Sequence, residues 1–448
     1  MEYDLIIIGA GPAGYVAAIR AGQLGMKTAL LEKKDVGGMC LNWGCVPTKT
    51  LIESAKLYSR IKSAGNMGID GIDPGKISFN WTQAKRRSEK IVSKLAAGIH
   101  FLLKKNGVDV IRGEARINSA HTITIDNRLL AAKHILIATG SYPAPFDSAI
   151  PEDKLVQIEQ LLDVEKLPDR MVLIGNGPST IELAQLFRLI DKEVTVISQA
   201  ENLIPGVDDY LREYLLKQTR GQGIRIIENG RITGISDEEI HVNGISIPYD
   251  LVINCSWRRG IIPPSDVDLQ PDGQNFIPVD DFLQTRIPGI YAAGDINGMS
   301  YLAHAASAQG VFIVNHIQGV TGSMNIKQYP INIYTVPEIA QIGLTEAELL
   351  EKGIDYRIGE FPMTANAKAL AEDTAEGMIR ILSDKKLGEV LGVQIIASNA
   401  TDLIAEAAAF MSVEATVYDV ARTVHAHPTI SEVFLEAGMD AGGKAIHK

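Results

Sequence analysis

The sequence predicts an α/β protein with two doubly wound, parallel-sheet domains followed by a smaller α+β domain. It rests on three observations. Residues 5–32 read as strand, glycine-rich turn, helix and strand; a second unit with the same rhythm begins at Met171; and from about Gln328 the pattern changes to strand-like runs and then a helix. In the first unit, Leu5 to Ile8 is a short apolar run of the kind a strand buried on both faces requires. Gly9 to Gly14 is the turn, Tyr15 to Leu24 carries apolar residues at helical spacing, Gly25 ends the helix and Thr28 to Leu31 is the next strand. Together they make a βαβ unit. The second unit repeats it with strand Met171 to Ile174, turn Gly175 to Thr180, helix Ile181 to Ile190 and strand Val194 to Ile197. The third segment offers strands at Ile339–Ile342, Met378–Leu382 and Glu389–Ile395, then a helix at Ala400–Phe410.

Composition bounds the function. A chain of 448 residues, 46% hydrophobic and 22% charged, is neither disordered nor collagen-like, and it can bury several cores without disulfide or metal staples. The net charge of −11 leaves no positive excess for nucleic acid or a membrane surface. The densest basic cluster, Lys85-Arg86-Arg87, is followed by Glu89 and reads as a solvated helix face. Three cysteines (Cys40, Cys45 and Cys255) are too few for a secreted disulfide scaffold and suggest a reducing, cytoplasmic setting. Met1-Glu2-Tyr3-Asp4 lacks the positive start of a signal peptide, and the apolar stretch Leu5–Ile19 is too short and too broken to span a membrane. Neither a membrane nor a nucleic-acid partner is expected.

Two constellations carry chemistry. Gly9-Ala10-Gly11-Pro12-Ala13-Gly14 follows a strand and opens a helix, and Glu32 closes the second strand. The first glycine makes the tight turn, the second lets a pyrophosphate approach the backbone, and the third allows close helix–strand packing. The free N–H groups of the helix then meet the phosphates, and the acid accepts ribose hydroxyls. The second constellation is Gly38-Met39-Cys40-Leu41-Asn42-Trp43-Gly44-Cys45-Val46-Pro47-Thr48-Lys49. Two thiols this close, at a helix start beside a cation, can form a reactive disulfide. Two unpaired core cysteines, or half a metal site, are the other readings. Metal is disfavoured because no second cysteine or histidine pair stands at ligand spacing.

The string GGMCLNWGCVPTK resembles the active-site signature of the FAD-dependent pyridine nucleotide–disulfide oxidoreductases, which include dihydrolipoamide dehydrogenase, glutathione reductase and mercuric reductase. The resemblance spans nearly the whole chain. It implies Rossmann-like FAD and NAD domains, with FAD segments at 1–147 and 271–327, an NAD(P)-binding-like domain at 148–270, and a dimerisation domain at 328–448. Proline-bearing stretches near 143–151 and 263–271 suit the crossings. Ala138-Thr139-Gly140 matches the family's glycine-containing loop after the first FAD segment. Tyr291-Ala292-Ala293-Gly294-Asp295 matches its second FAD motif, whose aspartate meets the ribityl chain, and Leu302-Ala303-His304 matches the stretch along the flavin. By the same carry-over, Lys33, Gly38, Met39, Lys49 and Ala115 join the FAD site. Tyr334-Thr335-Val336-Pro337-Glu338 and Gly343-Leu344-Thr345-Glu346 resemble the start of the dimerisation domain.

A histidine near a C-terminus is ordinarily structural. Here His425-Ala426-His427-Pro428-Thr429-Ile430-Ser431-Glu432 resembles the family's base motif, which implies His427 as base, Glu432 as its orienter and a structural role for His425. In the family this dyad serves the disulfide of the other subunit, so a homodimer is expected. The implied reaction begins when a dithiol loses a proton to His427 and attacks Cys40. Exchange leaves Cys40 and Cys45 reduced, and two electrons pass from Cys45 through FAD to a nicotinamide, with Lys49 and Glu182 as an ion pair beside the flavin. The HAHPTISE form favours dihydrolipoamide, free or on a lipoyl-carrying protein, as the dithiol, and the reverse direction is open. A tail without cysteines disfavours mercuric reductase and large thioredoxin reductases. A glutathione-reductase-like activity is harder to set aside.

The second nucleotide site departs from the family. Gly175 and Gly177 are in place, but Thr180 stands where the third glycine or alanine belongs, Ser198 stands where NAD-linked members carry an acid, and Trp257 replaces the glycine of the Gly-Arg-x-Pro-Asn string. Gln199, Ala200 and Glu201 supply no arginine pair for a 2′-phosphate. NAD remains the expected acceptor. The competing readings are a lipoyl dithiol oxidase with another acceptor, and a non-enzymatic, redox-sensing flavoprotein scaffold, which the intact Cys40, Cys45, His427 and Glu432 disfavour. Met39 for threonine and Gln309 for glutamate are expected to be tolerated.

Overall fold

The computed structural model describes residues 2–144, 150–321 and 325–447; part of the proline-bearing stretch near 143–151 lies outside them. In chain order the first elements are β1 (Tyr3–Ile8), α1 (Pro12–Gln23), β2 (Thr28–Glu32), α2 (Gly38–Asn42), α3 (Cys45–Lys62), α4 (Trp81–Lys105), β3 (Asp109–Arg112), β4 (Ala115–Ser119), β5 (Thr122–Ile125), β6 (Arg128–Ile137) and β7 (Ser141–Pro143). The middle holds β8 (Leu155–Gln157), β9 (Arg170–Gly175), α5 (Pro178–Leu189), β10 (Glu193–Ile197), α6 (Asp209–Gly221), β11 (Arg225–Ile227), β12 (Ile232–Ile235), β13 (Glu239–Val242), β14 (Ile245–Pro248), β15 (Leu251–Cys255), β16 (Arg258–Gly260), β17 (Ile290–Ala292) and α7 (Ala303–Ile317). The last elements are β18 (Ile331–Ile333), β19 (Glu338–Gly343), α8 (Glu346–Glu351), β20 (Tyr356–Pro362), α9 (Ala367–Ala371), β21 (Met378–Asp384), β22 (Val390–Ala397), α10 (Ala400–Ser412), α11 (Val417–Val420) and α12 (Glu432–Ala441). Helices α1 and α5 start three residues before their expected first residues, because Pro12 and Pro178 suit a first helical turn, where a missing N–H costs nothing.

The chain forms two compact units. The first comprises Met1–Gly175, Leu189–Lys192 and Arg231–Ile326; the second comprises Asn176–Arg188, Glu193–Gly230 and Lys327–Lys448. This division cuts through the segment expected as one nucleotide domain. Within the second unit the reason is visible. Glu182 and Gln185 on α5 accept the Tyr334 and Val336 amides at 2.9 and 2.7 Å, and Gln222 donates to the Val336 carbonyl at 2.8 Å.

The first unit is organised on a sheet in the order β3-β2-β1-β6-β5-β4, with β17 also paired to β6. β1, β2, β3, β6 and β17 run parallel, so a strand from residue 290 onward completes a sheet begun at residue 3. The period of two sorts the apolar run of β1. Leu5 and Ile7 face a core with Ala13, Ala17 and Ala21 of α1 and Ile313 of α7, and Ile6 and Ile8 face one with Ile117, Ile123 and Ile125 of the β4–β5 hairpin. Helices α1 and α7 pack so closely that a Cβ on Gly310 would lie 2.4 Å from the Ala13 carbonyl oxygen. Strands β8, β15 and β9 form a second parallel group, and β12–β14 an antiparallel one. In the second unit, β18-β19-β22-β21-β20 is an antiparallel sheet covered by α10 and α12. Among the described residues no helix is long and apolar enough to cross a membrane.

Candidate active site

The glycine turn after β1 is dictated by close approach. A Cβ on Gly14 would sit 1.8 Å from the Gly9 carbonyl oxygen, and one on Gly9, at φ +102°, 2.3 Å from that of Ala138. Gly38, at φ +62°, brings the α2 turn against the same loop, where a Cβ would lie 2.6 Å from Gly11 Cα. α1 starts at Pro12 and Ala13 with no side-chain cap and no acid in its first turn, so its first amides remain available to phosphate. Glu32 at the end of β2 is fixed by the Ala10 and Lys34 amides, at 2.7 and 2.8 Å. Lys33 pairs with Glu114 at 3.4 Å on the surface, and Ala115 is buried at the start of β4.

The lower part of the cradle is built from distant segments. Thr139 donates to the Ile261 carbonyl at 2.6 Å, and Gly140 and Gly294 take φ values of +76° and +77°. Gln309 Oε1 accepts the Gly294 amide at 2.7 Å and the Asn297 amide group at 2.9 Å. Asp295 receives a hydrogen bond from Ser141 at 2.5 Å. Burial pushes its carboxyl up, against the opposing pull of Ser141 and Arg258. Leu302, Ala303 and His304 open α7. A glycine cradle with uncapped amides, an acid fixed at a strand end and a recessed carboxylate are what an elongated dinucleotide needs. The residues present fit FAD.

Cys40 lies on α2, and Cys45 is the first residue of α3, exposed and capped only by Gly44. The two sulfurs are not bonded to each other, and the Cys40 and Cys45 side chains are hydrogen-bonded instead. The hydrogen bond to Cys45, and then burial, push the Cys40 thiol far up, with Lys49 opposing. Cys45, at the start of α3, is the member of the pair whose thiolate a helix N-terminus favours. Met39 precedes Cys40 on α2, and Lys49 lies one turn into α3. Cys255 is buried in β15.

His427 is exposed, with Nδ1 2.9 Å from Glu432 Oε1, and the second Glu432 oxygen accepts the Thr429 amide at 2.9 Å. Burial works against the Glu432 anion, but the Thr429 amide and His427 outweigh it and hold the carboxyl below the usual range. His425 is different: its ring is buried, with Nε2 2.6 Å from Glu406 and Nδ1 3.0 Å from the Thr423 carbonyl, a pair that sequence reasoning left unpartnered.

The second nucleotide loop is well formed but unusual. Gly175 ends β9, Gly177 has open space where a Cβ would point, and Thr180 is fully buried with its hydroxyl unpartnered. Ser198 is also fully buried. Its hydroxyl donates to the Ala200 carbonyl at 3.1 Å and accepts the Ala200 amide at 3.3 Å, so it is engaged by its own turn. Trp257 turns outward, 43% exposed, donating to Gln274 at 2.6 Å and meeting Tyr301 edge-on at 5.7 Å. Lys85, expected to be solvated, instead donates to the Leu162 and Val164 carbonyls at 2.7 and 2.9 Å. Among the described residues no cluster of histidine, cysteine and acid could hold a metal.

A dinucleotide cradle beside a thiol pair, with a carboxylate-held histidine near the C-terminus, defines a flavin-type disulfide oxidoreductase. The comparisons agree: residues 3–310 match the pyridine nucleotide-disulphide oxidoreductase family and residues 329–438 its dimerisation domain, and the chain belongs to that family. It is 36% identical to a dihydrolipoyl dehydrogenase of Bacillus subtilis over 99% of both chains. It is 35% identical to that of Mycoplasma pneumoniae, over 97% of this chain and 98% of the relative. The solved structure of LpdA from Mycobacterium tuberculosis superposes with a TM-score of 0.89 at 26% identity, covering 97% of this chain and 99% of that one. The protein is an oxidoreductase of the lipoamide dehydrogenase class. That class uses FAD and NAD(P), and the matched dimerisation domain supports a homodimer.

Proposed function

We propose that the protein oxidises the dithiol of a dihydrolipoyl group, free or protein-bound, by exchange with a Cys40–Cys45 disulfide, and that NAD+ is the final acceptor. The reading is carried by the exposed His427, whose Nδ1 is committed to Glu432. That leaves Nε2 as the base that takes a proton from the incoming dithiol. The thiolate so formed attacks Cys40 Sγ and breaks the Cys40–Cys45 bond, and the second substrate thiol closes the ring. Two substrate thiols are oxidised and one protein disulfide is reduced; of the two protons the substrate gives up, one goes to the departing Cys40 and the other stays on His427, balancing the Cys45 thiolate. Cys45 leaves as the thiolate that the α3 N-terminus favours. FAD, held by the glycine turn, Glu32 and Asp295, supplies the two-electron chemistry between that thiolate and the nicotinamide. Lys49 and Glu182 are assigned charges beside it, and the dyad acts on the partner protomer's disulfide. A reducing, cytoplasmic setting suits a chain with so few cysteines.

A second reading is favoured by two observations. Ser198 is engaged by its own turn and Thr180 seals an unpartnered hydroxyl, so an acceptor other than NAD+ competes for the electrons. Anaerobic stopped-flow decides. Protein reduced by dihydrolipoamide is mixed with NAD+ or NADP+ while the flavin band is followed. Rapid reoxidation by NAD+ supports the first reading. Reduction without reoxidation by either nucleotide supports the second. Failure of dihydrolipoamide to reduce the flavin sinks both.

A further inference from the structure

Three segments meet behind Asp295, and the hydrogens between them can run only one way. Arg258 on β16 places Nε 2.6 Å from Ser141 Oγ and Nη2 2.7 Å from the Ser141 carbonyl oxygen. A guanidinium only donates. Ser141 Oγ therefore accepts from Arg258, and its single proton goes to Asp295 Oδ2, 2.5 Å away. Arg258 is itself held by Glu159, whose Oε1 lies 3.3 Å from both Nη1 and Nη2. The Arg258 side chain is 17% exposed and that of Asp295 24%, so these charge-assisted bonds are largely shielded from water. The backbone fixes the register: Gly260 pairs with Ser141, the Ile261 amide donates to Gly140 at 3.0 Å, and a Cβ on Gly260 would lie 2.1 Å from the Asn275 carbonyl oxygen.

We propose that Arg258, anchored by Glu159, is a positioning residue that acts through Ser141 to hold Asp295 as a fixed acceptor for the hydroxyls of the flavin's ribityl chain. The inference rests on the proposed reading of Asp295 as a flavin-site residue. Its basis is directional. With Ser141 locked as donor to Oδ2, the carboxylate plane cannot rotate freely, and Oδ1 is taken by neither Ser141 nor Arg258. Without Arg258, the Ser141 hydroxyl is free to turn away. Burial then favours the neutral acid, which offers a donor where a polyol needs an acceptor.

The test uses full-length protein, deflavinated and reconstituted. FAD affinity is read from flavin fluorescence, and the visible absorption envelope reports the flavin's surroundings. Arg258→Met and Ser141→Ala should each weaken FAD binding about 10- to 100-fold, the range for one lost charge-assisted hydrogen bond. The double variant should bind no worse than the weaker single one, because both changes break one chain. Arg258→Lys keeps the charge without the fork and should recover part of the loss. Ser141→Ala removes one oxygen and guards against a folding artefact. Two results overturn the proposal: Arg258→Met binding FAD as tightly as the unaltered protein, or losses that multiply in the double variant. If the unaltered protein takes up no FAD, the reading of the cradle falls first and this inference falls with it.

Discussion

Glu432 grips His427 and its own loop at once: one carboxylate oxygen lies 2.9 Å from His427 Nδ1 and the other accepts the Thr429 amide at 2.9 Å. A carboxylate only accepts, so Nδ1 carries the proton and Nε2 presents its lone pair outward. His427→Ala should slow thiol exchange by about 100- to 10,000-fold, the range for a lost acid–base group. Glu432→Gln should cost less, because the amide keeps the shape but no longer enforces the tautomer. The two changes together should cost no more than His427→Ala alone, since the residues act as one unit. Stopped-flow reduction by dihydrolipoamide measures all three, and a near-normal rate for His427→Ala removes the dyad from the mechanism.

The thiol pair makes a prediction with a defined sign. Hydrogen bonding to Cys45 and burial hold the Cys40 thiol well above an ordinary thiol, so in the reduced protein Cys40 keeps its proton far into the alkaline range. In Cys45→Ser the bonded partner is a neutral hydroxyl, and ionisation of Cys40 should move down toward the ordinary value of about 8.5. Thiolate ultraviolet absorbance against pH, on deflavinated reduced protein, reads this directly. Cys45→Ser and Cys40→Ser should both abolish dithiol-dependent flavin reduction while retaining FAD. Unchanged reduction in either variant would falsify the disulfide assignment.

What could be read early follows from what the backbone permits. Gly9, Gly14 and Gly38 were legible because no other residue survives contacts of 2.3, 1.8 and 2.6 Å at a Cβ, so the chemistry is written in residue identity. Glu32 and the His427–Glu432 pair were legible because their partners lie within a short, fixed spacing. The Glu159–Arg258–Ser141–Asp295 chain was not, because its outermost members lie 154 positions apart with no period to link them. The Ser198 turn was missed for the opposite reason. Its partner is Ala200, and a serine bonded to its own loop looks in sequence like one offered to a ribose. The grouping of α5 with the C-terminal segment depended on Glu182 and Gln185 reaching backbone amides about 150 residues away, which local pattern does not encode.

Arg380 anchors the C-terminal sheet. Its buried guanidinium meets Glu360 at 2.8 Å, Glu346 at 3.1 Å and Gln394 at 2.8 Å, and lies 4.2 Å from the Tyr210 ring centre. Arg380→Met should destabilise the second unit by about 2 kcal/mol, less than a fully buried broken pair, because both carboxylates remain a third exposed. Burial raises the Glu346 carboxyl, but the Tyr356 hydroxyl and Arg380 outweigh it and leave it below the usual range. A lowered acid stabilises the fold above its unfolded value, about 4.3, and that share is lost as the pH falls through the folded value. The variant should therefore lose both stability at neutral pH and part of the acid sensitivity. Hydrogen exchange of the β20–β22 amides at pH 7 and pH 4 checks both.

The nicotinamide site can be tested by restoring what the sequence lacks. Ser198 directly follows β10, where an acid would grip the adenosine ribose, and its hydroxyl is spent on Ala200. Ser198→Glu should tighten NADH binding about tenfold, the value of one good charge-assisted hydrogen bond, and leave NADPH unimproved because its 2′-phosphate meets a like charge. Thr180 offers an independent control: its buried hydroxyl has no partner, a state that costs about 1–3 kcal/mol. Thr180→Val keeps the shape and removes the hydroxyl, so it should raise the melting temperature without changing nucleotide preference. Thr180→Gly should let the loop and helix close up and lower KM for NAD+ more than it changes kcat. Equilibrium titration and steady-state rates on the three variants separate these effects. If Ser198→Glu gains nothing and Thr180→Gly leaves KM unchanged, the loop after Gly175 is not where this protein hands on its electrons, and the search moves to an acceptor of a different class.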